Sequence, residues 1–254
     1  MPKLSYKQRA ELSKNPTARR LFGIMEEKET NLCVAVDVTT KKELLELAEA
    51  VAPSICVLKT RTDTINDFDE DLIIRLQRLS EKHNFLLFED HTFADIGIAV
   101  RHQYQDGIYH IADWADIINA HPIVGPGVIE GLKEIGLRKG RGLLLLAQMT
   151  TKDNLISSEY TAEAVRMAEG HTDFAIGFIS NGNVSNNPQF IHFTPGVHIN
   201  READRLGQQY QSPEEAIKQG ADIIIVGRGI TKSHDPQAAA NRYQEIAWEA
   251  ANNF

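Results

Sequence analysis

Eight short apolar runs alternate with amphipathic stretches along the chain, and this alternation restricts the possible folds more than any other feature. The runs predict strands at 31–37, 54–59, 84–89, 116–120, 142–147, 173–179, 190–194 and 222–226. Most of them lack strict apolar–polar alternation, which is typical of parallel strands covered on both faces. Helical patterns lie between most of the runs, at 40–51, 63–82, 95–105, 126–136, 158–169, 213–219 and 236–251. This order indicates an α/β fold around a parallel sheet.

The number of strands and the absence of a linker favour a closed (β/α)8 TIM barrel, with residues 1–254 as a single domain. An open doubly wound sheet is the alternative. Residues 4–28 predict an additional N-terminal helical segment, which is expected to close the bottom of the barrel. The stretch 180–189 is too polar and turn-rich for a helix and predicts a mobile loop. In a barrel, chemistry is expected at the carboxyl ends of the strands.

Composition and charge exclude several classes of function. The formal net charge of −8 at pH 7 argues against binding to nucleic acid or to an anionic membrane. No window approaches the roughly 18 apolar residues of a membrane span, and the first residues lack the apolar region of a secretory signal. Cys33 and Cys56 lie within apolar runs, as expected of reduced core residues. These features predict a soluble, cytoplasmic protein.

Charged side chains stand where several predicted strands end. Asp37 ends the first strand, Lys59 ends the second, and Asp90 follows the third. A barrel would direct these side chains toward one mouth, formed by the carboxyl ends of its strands. Each residue also has a simpler explanation, because an acid such as Asp95 can cap a helix and a lysine can extend into solvent. Charges of both signs on adjacent strands favour the functional interpretation.

A glycine-flanked arginine follows the last predicted strand. In Gly227-Arg228-Gly229, the glycines allow the backbone to approach a phosphate and the arginine offers a forked donor. Phosphate sites of TIM barrels lie in the loops after strands 7 and 8, where this motif falls. The histidines and cysteines show no metal-ligand spacing, so no metal site is predicted.

Nine segments together resemble a known family. They are KETNLCVAVDV, SICVLKT, FLLFEDHTFADIG, ADIINAH, VGPG, GFIS, TPGV, LGQQY and ADIIIVGRG. In this order and spacing, from about Leu4 to the C-terminus, they are similar to the orotidine 5′-monophosphate decarboxylase family, especially its eukaryotic-type domain. The resemblance implies a homodimeric (β/α)8 barrel without a cofactor. It also implies a nucleotide site that grips a phosphate and converts orotidine 5′-phosphate to UMP in pyrimidine biosynthesis.

The resemblance implies a role for each matching residue. Asp37 and Lys59 match residues that bind the ribose side and flank the reacting carboxylate. Asp90 matches the aspartate beside the substrate carboxylate, and Asp95 matches an aspartate donated across the dimer. The phosphate-binding set of the family is matched by Gln208, Tyr210, Gly227 and Arg228.

One position departs from the family's catalytic signature. The family has a lysine where this chain has Thr92, and that lysine donates a proton to the carbon that loses carbon dioxide. Further departures from the family pattern are Arg61 for His, Ile98 and Ala99 for Asn-Thr, Gln148 for Glu, and Thr150 for Ser in the substrate-binding set. Their clustering indicates a diverged or remodelled site on an intact scaffold.

Because the lysine is missing, we expect a change in the electrostatics of the site, and three functions are possible. With only Lys59 between them, Asp90 and Asp95 should repel, so the pKa of one carboxyl should rise, although Arg61 could restore some positive charge. The first function is a decarboxylase with impaired turnover. The second is a different proton-abstraction or ring reaction with Asp90 or Asp37 as the base, and the third is non-catalytic nucleotide binding. Each takes orotidine 5′-phosphate or a UMP-like nucleotide.

Overall fold

The computed structural model describes residues 4–200 and 207–253, and its strands close into one parallel barrel in chain order. Each strand pairs with the next, and the last pairs with the first. This confirms the predicted (β/α)8 barrel and excludes the open sheet. The strands are β1 (Leu32–Ala35), β2 (Val57–Thr60), β3 (Leu86–Phe93), β4 (Ile117–Ala120), β5 (Gly142–Leu146), β6 (Ala175–Ile179), β7 (Ile191–Thr194) and β8 (Ile223–Val226).

The helices surround the barrel, and the first two precede β1 while the last two follow β8. They are α1 (Tyr6–Leu12), α2 (Pro16–Lys28), α3 (Lys41–Val51), α4 (Glu70–His83), α5 (Gly97–Gln105), α6 (Ile111–Trp114), α7 (Gly127–Gly136), α8 (Ser158–Glu169), α9 (Pro213–Lys218), α10 (Arg228–Thr231) and α11 (Pro236–Asn253). The two shortest, α6 and α10, were not predicted, because a single turn carries no readable periodicity.

Two element boundaries differ from the sequence prediction by more than three residues, for local reasons. The helix predicted at 63–82 begins only at Glu70, because the Asp69 side chain accepts a hydrogen bond from the Leu72 amide and caps the helix there. The strand predicted at 84–89 extends to Phe93, since it pairs again with β4 after a register shift. This extension carries polar side chains into the barrel mouth.

The N-terminal segment closes the bottom of the barrel, as predicted. Buried residues of α2, including Phe22 and Met25, pack in one cluster with alternate strand residues such as Cys33 and Val57. The Asn15 side chain caps α2 and donates to two backbone carbonyls just before β5 and β6. The segment therefore forms part of the barrel core and positions the amino ends of the strands.

The stretch 180–189 contains no helix or strand, in agreement with its turn-rich composition. Its backbone is organised locally by asparagine side chains, as in the bond from the Ser185 amide to Asn183 Oδ1 at 2.8 Å. Its mobility remains a prediction. Within the described ranges, none of the helices has the length and apolar character needed to span a bilayer.

Candidate active site

Alternate residues of β2 and β3 face the barrel axis, and this alternation directs a lysine and an aspartate into the mouth. Val57 and Phe88 belong to the interior cluster, and Lys59 and Asp90 lie two residues further along the same faces. Lys59 Nζ donates a hydrogen bond to Asp90 Oδ2 and lies 3.7 Å from Asp37 Oδ1. Three residues selected at predicted strand ends thus meet at one point.

Four side chains donate hydrogen bonds to the Asp90 carboxylate. Lys59 and Arg61 approach Oδ2, with Arg61 Nη2 at 2.8 Å. Asn119 Nδ2 and Thr92 Oγ1 donate to Oδ1 at 2.6 Å and 3.2 Å. Burial acts to raise the pKa of Asp90, but the two cations and the hydrogen bonds outweigh it and hold that pKa below its ordinary value.

The expectation of a carboxylate with a raised pKa is therefore wrong for Asp90. The physical reason is the direct contact of Lys59 with the carboxylate together with Arg61, whose guanidinium supplies a second cation on the same side of Asp90. Asp95 does not join this cluster within the chain. It is exposed, and its Oδ1 accepts a hydrogen bond from the Ile96 amide at 2.7 Å. The repulsion expected between Asp90 and Asp95 is absent from the described chain.

Thr92 has an unusual backbone conformation. Its φ of 57° lies in the left-handed region, where a β-branched residue carries strain of about 1–3 kcal/mol. The Thr92 amide donates to Asn119 Oδ1 at 2.9 Å, while the Asn119 amide group donates to Asp90. Asn119 thus fixes residue 92 and Asp90 together, so that the Thr92 side chain faces the carboxylate.

The sequence analysis missed Asn119 and gave Glu89, at the end of the third predicted strand, no role in the site. Asn119 lies within the predicted strand 116–120, and Glu89 ends the strand 84–89. The available signal was the burial expected of these strands, since a polar side chain inside a covered strand needs a partner. Both are buried here, with Asn119 exposing 2% of its surface and Glu89 none.

Glu89 points away from the barrel axis and is held by neutral donors. Its carboxylate accepts hydrogen bonds from Thr60 Oγ1 at 2.7 Å and from the amide and hydroxyl of Thr62, both at 2.9 Å. Burial raises the pKa of Glu89 to about 7, although these donors act to lower it. Glu89 therefore titrates near neutral pH in the folded protein.

Because the pKa of Glu89 is raised in the folded protein, we expect this residue to make the free energy of unfolding depend on pH. Its ordinary value is 4.5, so between pH 4.5 and about 7 the unfolded chain releases a proton that the folded chain retains. Relative to Glu89→Gln, the parent protein should lose on the order of 3 kcal/mol of unfolding free energy as the pH rises through this window. Urea unfolding of both proteins between pH 4.5 and 8 measures the difference. Parallel pH profiles would show that the carboxyl titrates normally.

A second group of predicted residues lines a cavity of about 180 Å³ beside the charged cluster. The cavity runs from Asp37 and Lys59 to the loops after β7 and β8. Its other predicted lining residues are Gln208, Tyr210, Gly227 and Arg228. Arg228 Nη2 donates to the Tyr210 hydroxyl, and this contact orients both side chains at the same end of the cavity. Larger surface grooves exist elsewhere, but they do not include these residues.

The loops around this cavity approach each other closely. Gln208 Nε2 donates to Thr150 Oγ1 at 2.7 Å, which links the loop after β5 to the loop after β7. Gly196 has a φ of 69°, and a Cβ atom there would lie 2.6 Å from Gln208 Nε2, so the backbone requires glycine. Gln148 accepts a hydrogen bond from the Asn181 amide at 3.0 Å and joins β5 to the loop after β6. No group of three potential metal ligands occurs within residues 4–200 and 207–253.

Comparison with known proteins identifies a consistent set of relatives. A model described as "Orotidine 5'-phosphate decarboxylase / HUMPS family" matches residues 30–243. The orotidine 5′-phosphate decarboxylase of Phycomyces blakesleeanus is 52% identical over 250 residues, covering 97% of this chain and 94% of its own. The uridine 5′-monophosphate synthase of Bos taurus is 50% identical over 249 residues, covering 97% of this chain and 52% of its own.

A solved structure shows the same fold at much lower identity. The orotidine 5′-monophosphate decarboxylase of Methanocaldococcus jannaschii, complexed with the inhibitor BMP, superposes with a TM-score of 0.69 at 16% identity. The superposition covers 86% of this chain and 98% of that one. At this level of identity the likeness supports the barrel architecture alone.

Proposed function

Because the chain belongs to the orotidine 5′-phosphate decarboxylase / HUMPS family, we propose that it binds orotidine 5′-phosphate and UMP but decarboxylates orotidine 5′-phosphate slowly. The observation that carries this proposal is the position of Thr92. Its hydroxyl donates to Asp90 at 3.2 Å, where the family resemblance implies a lysine that delivers a proton. Residues 1–254 would form one cytoplasmic barrel domain that needs no cofactor.

The cavity supports a ligand with a phosphate at one end. Arg228 supplies a forked cationic donor there, Tyr210 a hydroxyl and Gln208 an amide. At the other end, Asp37 can accept hydrogen bonds from ribose hydroxyls, and Lys59 stands between that end and Asp90. The ligand's base would then lie beside Asp90 and Thr92. Thr150 supports this arrangement through its bond to Gln208.

The cluster beside the base is poorly suited to donate a proton. Loss of carbon dioxide leaves a carbanion that must be protonated, and general-acid help typically contributes about 10²–10⁴-fold. Burial acts to lower the pKa of Lys59, but Asp90 and Asp37 outweigh it and raise that pKa, and its contact with Asp37 holds the ammonium toward the ribose end of the cavity. An arginine side chain keeps its proton in proteins, and a threonine hydroxyl is neutral. Binding is therefore retained while the protonation step is impaired.

The other two functions are distinguished by the same groups. A reaction with Asp90 as general base is disfavoured, because its lowered pKa makes it a weak base. Asp37 is more exposed, at 57% of its side chain, and stays the alternative base for a different reaction. Non-catalytic nucleotide binding would give the same ligand affinity with no turnover. Measuring carbon dioxide release and isotope exchange at the pyrimidine carbon separates the three functions.

The phosphate assignment gives a direct binding prediction. Arg228→Ala should weaken UMP binding roughly 10- to 100-fold, because a charge-assisted hydrogen bond contributes about 1.5–3 kcal/mol. The affinity for uridine should stay unchanged. Isothermal titration measures both ligands, and Arg166→Ala on the exposed face of α8 is the matched control. Equal affinity of the parent protein for uridine and UMP would contradict the phosphate site.

We also propose a homodimer in which Asp95 approaches the partner's mouth. Asp95 is followed by two strongly exposed apolar residues, Ile96 at 64% and Ile98 at 55%. Ile123, at 72%, is a third large apolar residue exposed after β4. Covering such residues would stabilise a dimer. Light scattering at micromolar concentration should give twice the mass of the chain, and Ile98→Asp should shift the protein toward monomer. A parent protein that is monomeric under these conditions contradicts the proposal.

A further inference from the structure

Glu89 is a buried acid that the proposed reaction does not use. It exposes none of its surface and makes no ion pair within the described part of the chain. Burying a carboxylate without a cation is costly, even where neutral donors satisfy it. An apolar residue at this outward-facing position would pack without that cost, as Leu87 does on the same face of β3. Packing alone therefore does not explain why this position holds a carboxylate.

Residues 59 to 62 donate hydrogen bonds alternately to two neighbouring carboxylates of β3. Lys59 and Arg61 donate to Asp90 on the inside of the barrel. Thr60 and Thr62 donate to Glu89 on the outside. The strand register places Thr60 directly opposite Glu89. Because successive side chains of a strand face opposite sides, the contacts to Asp90 alternate along the chain with the contacts to Glu89.

We propose that Glu89 is a positioning residue that fixes the backbone on both sides of Arg61 and so holds the guanidinium on Asp90. Its effect on ligand binding rests on the function proposed above, whereas its effect on Asp90 does not. Glu89 touches neither the cavity nor the reacting end of the site. It acts through Arg61, the residue that supplies the second cation to Asp90.

Arg61 needs such support because it lies beyond the end of its strand. β2 ends at Thr60, and a 3-10 turn over Thr62–Thr64 follows, so Arg61 has no ladder partner in the barrel. Its side chain is 35% exposed, and an arginine loses considerable rotamer entropy when it is held in one position. The Thr64 hydroxyl, which donates to the Arg61 carbonyl at 2.9 Å, gives a second and weaker anchor.

The test measures the Asp90 carboxyl titration by carbon-13 NMR in Thr62→Val, Glu89→Gln and Arg61→Ala. Each variant should raise the pKa of Asp90, because each loosens or removes the Arg61 contact. Direct electrostatics predicts no shift for Glu89→Gln, since Asp90 titrates below its ordinary pKa, where the Glu89 carboxyl is already protonated. Combining Thr62→Val with Arg61→Ala should give no shift beyond that of Arg61→Ala alone.

Thr30→Val is the control, because it removes a buried threonine hydroxyl that bonds the Ser54 carbonyl at the other end of the barrel. It should leave the Asp90 titration unchanged. If Glu89→Gln fails to fold, Thr62→Val still decides the question, since it is neutral and nearly isosteric. The proposal is overturned if Thr62→Val lowers stability without moving the pKa of Asp90, or if its shift persists without Arg61. A parent protein that fails to bind UMP would contradict the proposed function and leave this result interpretable.

Discussion

Thr92→Lys is expected to increase carbon dioxide release from orotidine 5′-phosphate by roughly 10²- to 10⁴-fold, the usual contribution of a positioned general acid. The Thr92 side chain already faces Asp90 Oδ1, so a lysine there would place an ammonium beside both the carboxylate and the ligand's base. Arg61 limits the gain, because it already neutralises part of the Asp90 charge. Steady-state release of labelled carbon dioxide measures the change.

Thr92→Gln is the matched control for this variant. Glutamine has a similar reach but carries no ammonium, so it should leave turnover at the level of the parent protein. If the protein instead uses a carboxylate base for another reaction, Thr92→Lys should lower that activity by depressing the pKa of the base. Equal turnover of the lysine and glutamine variants would contradict the role assigned to residue 92.

Arg9→Met is expected to lower the free energy of unfolding by about 3–5 kcal/mol, as is typical when one member of a buried ion pair is removed. Arg9 of α1 contacts both carboxylate oxygens of Asp222 and donates to the carbonyls of Pro188 and Phe190 at 2.9 Å and 2.7 Å. Removing the guanidinium leaves the Asp222 charge buried, and within residues 4–200 and 207–253 the His192 ring and amide remain as its partners. Urea unfolding measures the loss.

The same pair gives this prediction a pH signature. Burial acts to raise the pKa of Asp222, but Arg9 and His192 outweigh it and hold that pKa well below its ordinary value. The stabilisation is therefore complete above the pKa of the unfolded aspartate, about 3.9, and is lost as the pH falls through the lower folded value. Lys7→Met, on the same helix, is the control. Equal stability of the two variants at pH 7 would show that the pair contributes little.

The fold was predictable because its signal is repeated along the chain. Each strand is a short apolar run, and the closed barrel follows from their number and order. The irregular features were not predictable in the same way. The extension of β3 to Phe93 depends on a register shift against β4, and the left-handed conformation of Thr92 depends on Asn119. Such features arise from contacts between strands that a single segment does not encode.

The residues of the candidate site were predictable, but the contacts between their charged groups were not. The strand-end rule selected Asp37, Lys59 and Asp90, and the structure brings them together. The sign of the pKa shift at Asp90 was not predictable, because it depends on which cations reach the carboxylate. Arg61 lies past the end of β2, and only the three-dimensional structure shows that its guanidinium turns back onto Asp90.

The proposed function requires that the site binds its nucleotide and lacks the proton donor needed to convert it. A single-turnover experiment tests this most directly, with the parent protein in excess over orotidine 5′-phosphate labelled in its carboxyl group. We expect the label to stay bound and to be recovered as unchanged orotidine 5′-phosphate after denaturation, with carbon dioxide released far more slowly than by Thr92→Lys. Complete release of labelled carbon dioxide in a rapid first turnover of the parent protein, as fast as in Thr92→Lys, would contradict the proposed function.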